Sequence, residues 1–441
     1  MKVIVYHHIA TNRLEYVLDL LLKNLLGLGV EICCSEDEFT RSGGAKINYS
    51  NNSFLPGLQI VPQGLIAEKG IKDFAVAYRE KEGFHQLFPD SEDLDISFDL
   101  FSAAFYLTSR YEEYLPFASD QHGRFIPSQS IAFKYGFLED AVVNRYALLL
   151  KSKLSSIYPS LEFKALEFKV VSTIDIDSAF AYKQKGIMRT LGGFAKDISK
   201  FDWVNFRNRF KHIIGNHQDP FDTYDYMEEL HRMHKVDSVY FILLADYGHN
   251  DKGVSWNSRP FQELIKGIND RNTVGIHPGY QSNFFPKNLS TEIHRLEQIT
   301  HRNVKHSRQH FLMMSFPETY RRLLDQGIEN DYSMGYAQEI GFRASIASPY
   351  YWYDLDSEQT TNLMIHPFAF MDATLNMYLK LTPQEAVEKV KGIIKESQDV
   401  GACLMTLWHN ESFGEKWDWK GWRNVLDEIL SFANQNLNKE G

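Results

Sequence analysis

The sequence predicts an α/β protein, with a parallel sheet or barrel preceded by a smaller α/β domain. Three observations carry this. From about Leu161 onward, apolar strand-like runs alternate with helix-like stretches, the order that builds a parallel sheet. Before that point, a short strand candidate leads into an amphipathic helix and then into a region rich in Gly, Pro, Asn and charge. The length of 441 residues allows two or three domains at about 100–200 residues each, with ample material for cores.

In chain order, Lys2 to Tyr6 is the first strand candidate. Leu14, Val17, Leu18, Leu21, Leu22, Leu25 and Leu26 follow the 3.6-residue period of a helix with one apolar face. Residues 35–95 read as loops and short strands around one sheet. Phe98 to Tyr114 is apolar enough for a buried helix, ending in the tip Ser109-Arg110-Tyr111-Glu112-Glu113-Tyr114. The plain reading of that tip is an Arg and two Glu pairing at an internal or interdomain surface. Four apolar runs follow as strands: Phe168 to Ile174, Ser238 to Leu244, Thr273 to Ile276 and Cys403 to Trp408. A helix is expected from Ser315-Phe316-Pro317-Glu318 to Gly327. Another follows the capping box Thr382-Pro383-Gln384-Glu385, with the stripe Ala386, Val387, Val390, Ile393 and Ile394. In such a fold the functional residues sit at the carboxyl ends of the strands.

Composition narrows the function. With 47 Lys and Arg against 57 Asp and Glu, the net charge is −10, and 44% of residues are hydrophobic. A disordered tail is thereby excluded, and no nucleic-acid partner is expected, because phosphate binding wants a basic surface. Cys33, Cys34 and Cys403 are too few and badly spaced for a disulfide framework or a Cys-based zinc knuckle. The first residues lack the pattern of a signal peptide, and no apolar run reaches about 18 residues, so a soluble, cytoplasmic protein is expected. Dinucleotide, phosphate-loop, H-E-x-x-H and nucleophile-elbow motifs are absent.

Four places carry candidate chemistry. In Val170-Val171-Ser172-Thr173-Ile174-Asp175-Ile176-Asp177 the alternation of a strand puts Thr173, Asp175 and Asp177 on one face. Two like charges there call for a metal ion or an Arg between them; the plainer alternative is a pair of solvated or helix-capping aspartates. His277, after Val274-Gly275-Ile276, stands where a strand hands over to its loop, as a metal ligand or as a structural His. In Ser307-Arg308-Gln309-His310, preceded by His301 and His306, Arg308 can hold a carboxylate in its fork and His310 can be a further ligand. Finally, Thr406-Leu407-Trp408-His409 ends a strand, with His409 as general acid, ligand or core residue and Trp408 as a wall for a sugar-sized pocket.

Strand-end Asp, Asp, His, Arg and His in this order resemble the polysaccharide deacetylases of carbohydrate esterase family 4, over about residues 165–435. The resemblance implies a distorted (β/α) barrel using one divalent metal. Thr173-Ile174-Asp175-Ile176-Asp177 is similar to a stretched form of the family's Thr-Phe-Asp-Asp motif, which implies Asp175 as general base and Asp177 as metal ligand. His277 falls on the first His of the second motif, Arg308 on the Arg that orients the base, and His409 on the general acid. Asp331-Tyr332-Ser333 is similar to the pocket-forming fourth motif.

This sequence departs from the pattern at Gln281, where the second motif normally places another His four residues after the first. His310 is the expected replacement, giving Asp177, His277 and His310 as metal ligands. Zinc suits that set, and cobalt, nickel or iron would also fit. Residues 1–160 resemble the accessory domain that precedes such deacetylases in some bacterial proteins, on Phe98-Asp99-Leu100-Phe101, the 109–114 tip and Asp120-Gln121-His122-Gly123-Arg124-Phe125.

The implied activity is removal of an acetyl group from an N-acetylated sugar or glycan precursor. Two alternatives stand beside it: a carbohydrate-binding protein with a decayed metal site, and a hydrolase of another non-peptide carbon–nitrogen bond. Residues 183–212 carry eight Lys and Arg against two Asp, interleaved with apolar residues. That composition is read as recruiting a phosphorylated or lipid-linked carbohydrate substrate, as a peripheral contact with an anionic membrane, or as a solvated helix covering the barrel. The oligomeric state is left open.

Overall fold

The computed structural model describes residues 2–91, 94–215 and 217–437. The first six strands are β1 (Lys2–Tyr6), β2 (Gly29–Cys33), β3 (Ala45–Tyr49), β4 (Leu58–Ile60), β5 (Tyr78–Lys81) and β6 (Phe84–Leu87). The first four form an all-parallel sheet in the order β2-β1-β3-β4, and β5 and β6 pair as an antiparallel hairpin. The leucine-rich segment is helical over Asn12–Leu18 and continues through Asp19–Leu25 as a wider π-type turn. Thr11 caps it, its hydroxyl accepting from the Leu14 N–H at 3.1 Å. Leu100–Thr108 is a helix buried along its whole length, capped by Asp99.

The remaining strands are β7 (Lys169–Ile176), β8 (Asp237–Ile242), β9 (Thr273–Ile276), β10 (His306–Ser307), β11 (Asn330–Asp331), β12 (Tyr350–Asp354), β13 (Gln359–Ile365), β14 (Phe370–Met371) and β15 (Cys403–His409). They form one sheet in the order β12-β13-β11-β10-β9-β8-β7-β15-β14. Every neighbouring pair is parallel except the hairpin β12–β13. The barrel expected from the sequence is not found, because this sheet does not close among the described residues. Its edge strand β14 is two residues long, and irregular backbone crosses the remaining gap. Phe368 N–H donates to Met334 O at 3.1 Å and Gly341 N–H to Ala369 O at 2.8 Å, too few bonds for another strand.

Alternation along the central strands sorts the side chains into two layers. Ile174, Ile176, Tyr240, Ile242 and Trp408 face the helices in the main core, whereas Val239, Phe241, Met405 and Leu407 form a small separate cluster on the concave face. Asp175, Asp177, His277 and His409 continue that concave face at the carboxyl ends. The capping box at Thr382 starts the helix Pro383–Asp399, which packs beside β15. No helix among the described residues is long and apolar enough to cross a membrane.

The 109–114 tip ties the two sheets' surroundings together. Buried Arg110 donates from Nε to Glu113 Oε1 at 2.7 Å and from Nη2 to Glu112 Oε1 at 2.8 Å. Glu113 in turn holds Arg343 through both carboxylate oxygens. The main apolar core runs without a break from Val3 to Ala433.

Candidate metal centre and active site

Asp175, next to last on β7, lies opposite His409 on β15, and Asp177 lies two residues on, just past the strand end on the same face. Arg308 follows β10, fully buried. Its Nη1 donates to Asp175 Oδ1 at 3.0 Å and to Thr173 Oγ1 at 2.6 Å, and its Nε donates to Tyr332 O at 2.9 Å. One carboxylate of the aspartate pair therefore has the arginine partner that the strand pattern required.

The second carboxylate meets two imidazoles. His277 Nε2 is 3.2 Å from Asp177 Oδ1, and His310 Nε2 is 3.3 Å from Asp177 Oδ2. One ligand atom from each of the three residues can be chosen within 4.8 Å of the others. The far side of each ring is fixed. His277 Nδ1 is 2.6 Å from Arg308 O, a carbonyl that only accepts, so Nδ1 carries a proton and the ring is held with Nε2 toward Asp177. His310 Nδ1 meets the buried Asp251 carboxylate at 2.9 Å. Asp177 Oδ1 is buried with no hydrogen-bond partner among the described residues. Ligand atoms around a tetrahedral zinc, with bonds of about 2.0–2.2 Å, lie about 3.3 Å apart, so the two observed separations and the unpartnered oxygen suit a divalent cation.

Charge supports the same placement. Burial alone would raise the Asp177 carboxyl, but His310 and His277 hold it well below the usual carboxylate range. Burial alone would likewise depress the His310 cation, yet Asp177 and Asp251 carry it up to about 9. His409 stands across the cleft, its Nε2 4.0 Å from Asp177 Oδ2. Both its Nδ1, at 2.8 Å, and its backbone N–H, at 2.7 Å, engage Asp372. Burial disfavours the His409 cation, but Asp372 beside it keeps its pKa well above the ordinary imidazole value.

Asp175, Asp177, His277, His310 and His409 line a cleft of about 210 Å³ with Leu312, Met371, Leu407, Tyr378 and Trp419 as its apolar walls. Residues before the second sheet also reach it. Arg124 Nη1 donates to Phe311 O at 2.9 Å, and the His122 ring lies 4.9 Å from the Phe311 ring. Phe311 and Leu312 both have positive φ, 58° and 54°, where side chains rarely sit, so the turn after His310 depends on such outside grips.

The structure brings Asp175, Asp177, His277, Arg308, His310 and His409 together. It does not bring in the others singled out by sequence. Trp408 faces the main core, against Phe413, because strand alternation turns it away from His409's side; Trp419 is the tryptophan at the cleft. Tyr332 stacks on His366 at 4.3 Å and its carbonyl supports Arg308, so Asp331-Tyr332-Ser333 braces the site instead of forming its pocket. Gln281 is exposed in a short turn, Tyr280–Asn283, and borders a different cavity. Asp251 and Asp372 were missed. Asp251 lies in a loop without a motif, and Asp372 follows the two-residue β14, too short to show a period. Their one sequence signal was position, at the carboxyl ends of strands.

Residues 3–159 match the family of unknown function DUF7033. No curated protein matches the chain. The solved structures it is similar to are polysaccharide deacetylases and relatives. One from Mycobacterium smegmatis, assigned as a polysaccharide deacetylase, is 13% identical with a TM-score of 0.39, over 64% of this chain and 94% of that one. A polysaccharide deacetylase from Bacillus cereus is 11% identical with a TM-score of 0.29, over 61% and 88%. A CE4 family pseudoenzyme from Bacillus anthracis is 11% identical with a TM-score of 0.32, over 62% of each chain, so less than two thirds of its length is spanned.

Proposed function

We propose that this protein is a metal-dependent hydrolase that removes an acetyl group from an N-acetylated sugar or glycan precursor, phosphorylated or lipid-linked. In this reading residues 1–160 are an accessory domain and 165–435 carry the chemistry. One observation carries it: Asp177, His277 and His310 converge at a cleft between two poised pairs, Asp175–Arg308 and His409–Asp372. His310 supplies the donor that Gln281 does not.

A divalent cation held by Asp177, His277 and His310, zinc by preference, supplies Lewis-acid polarisation of an amide carbonyl and of water. Asp175, charge-compensated and aimed by Arg308, takes the proton from the attacking water. His409, kept protonated by Asp372, gives its Nε2 proton to the departing amine nitrogen. Each proton transfer contributes about 10²–10⁴-fold in rate. Leu312, Met371 and Trp419 offer the apolar surface that a sugar ring covers.

The test is elemental analysis of protein purified without chelators, followed by acetate release from N-acetyl oligosaccharides set against small cyclic and formyl amides. One bound divalent ion, lost in Asp177→Ala and in His277→Ala, together with acetate release that is lost in Asp175→Asn, is the expected result. A folded protein that takes up no metal overturns the proposal. Activity on small amides alone moves it to another carbon–nitrogen bond.

A further inference from the structure

We propose that the helical hairpin spanning residues 187–214 seats this protein on the surface of an anionic lipid bilayer. The hairpin consists of the helices Ile187–Ser199 and Trp203–Ile214 and follows β7 at the carboxyl end of the sheet, the end that carries Asp177. Among the described residues, 23 large apolar side chains are exposed, and nine of them fall within these 28 positions. Met188 is 84% exposed, Phe201 79% and Trp203 60%.

The exposed apolar residues form a face. Ile187, Met188, Leu191 and Ile198 recur at helical spacing on the first helix, as do Trp203, Phe210 and Ile214 on the second. The helices hold each other through other side chains. Phe194 meets Phe206 with ring centroids 5.1 Å apart, and Arg209 Nε donates to Asp197 at 2.8 Å. The base is anchored where Trp417 Nε1 donates to Asn205 Oδ1 at 3.3 Å and Arg209 lies over Tyr182. The open face is therefore not needed to keep the hairpin folded or attached.

Charge selects the occupant. The whole chain is at −10, yet residues 183–212 hold eight Lys and Arg against two Asp. Both aspartates are committed inside the hairpin, Asp197 to Arg209 and Asp202 as the cap of the second helix. Arg207 and Lys211 lie exposed beside Trp203 and Phe210 and make no ion pair among the described residues. Aromatic and aliphatic side chains bordered by unpaired cations match the boundary between acidic headgroups and acyl chains. A second copy of this chain packed face to face would bring the same cationic residues to the contact and be repelled.

Vesicle co-sedimentation of the full chain tests this without metal or substrate, so its outcome is separate from that of the hydrolase reading. Phosphatidylcholine vesicles are compared with phosphatidylcholine mixed with phosphatidylglycerol, at low and at molar salt. Binding to the mixed vesicles alone, abolished by salt, is expected. Each cation near such a surface is worth a factor of about 5, so Arg207→Gln/Lys211→Gln should weaken partition about 25-fold. Met188→Ser/Leu191→Ser should also release the protein, with helix content unchanged by circular dichroism because both positions are exposed. Equal binding to neutral vesicles, no loss in either variant, or a solution dimer dissolved by Met188→Ser/Leu191→Ser overturns the proposal.

Discussion

Replacing Asp251 by Asn asks whether His310 serves as a ligand. Asp251 accepts from His310 Nδ1 at 2.9 Å and from the Tyr280 N–H at 2.9 Å, and it is buried. Asn keeps the shape, loses the charge and can turn an N–H toward a ring nitrogen that needs an acceptor, which frees the imidazole to rotate its Nε2 away from Asp177. Losing such an outer partner costs about 10–100-fold in metal affinity, or about 1.4–2.8 kcal/mol. A second effect opposes it. Despite burial, Asp177 and Asp251 carry His310 up to about 9, so near neutral pH a metal must displace a proton. Asp251→Asn lowers that proton affinity and masks part of the loss. Competition with a chromogenic zinc chelator should therefore show a small deficit at pH 7 and the full deficit above pH 9, while Gln281→Ala matches the parent at both. Equal affinities for Asp251→Asn and parent above pH 9 would refute the role given to His310.

Asp372→Asn removes the charge that raises His409 against its burial, so the alkaline limb of the pH–rate profile should move to lower pH, read from initial rates of acetate release. Glu113→Gln leaves Arg110 and Arg343 buried without their shared carboxylate and should cost about 3–5 kcal/mol in urea unfolding. Burial would raise the Glu113 carboxyl, but Arg343 and Arg110 hold it below its ordinary value. Its stabilisation is thus complete above that ordinary value and lost as pH falls through the lowered one, so Glu113→Gln should flatten the acid side of a melting-temperature profile. Gly275→Ala would put a Cβ 2.7 Å from both the Phe241 ring and His306 O, two residues before His277. We expect about 1–3 kcal/mol of destabilisation and weaker zinc retention, measured by unfolding and elemental analysis.

The central strands were legible because their carboxyl-terminal halves are buried and largely apolar; Thr273–Ile276 falls on β9 residue for residue. The leucine helix and the capping box at Thr382 were legible through period and cap chemistry. Two-residue strands such as β10, β11 and β14 carry no period, and without them the sheet's open edge cannot be foreseen. Asp175, Asp177, His277 and His409 could be picked out because each follows or ends an apolar run, whereas Arg308 and His310 were legible only through the resemblance of the motif order. Their supports could not, because Asp251 and Asp372 gain their role only from the tertiary contacts with His310 and His409. Trp408 shows the opposite error. Adjacency to His409 in sequence suggested a shared role, and the twofold alternation of a strand sends the two side chains to opposite layers.

The guanidinium that grips Phe311 O is encoded 187 positions upstream of the turn it steadies. Genetic exchange that swaps the leading third of this protein for that of a distant cousin would hand the His310 turn a foreign clamp, and positive φ at two consecutive bulky residues leaves little tolerance for a poor one. Inheritance should then treat the two ends as a single cassette, and a chimera that folds well can still lose the placement of His310 beside Asp177.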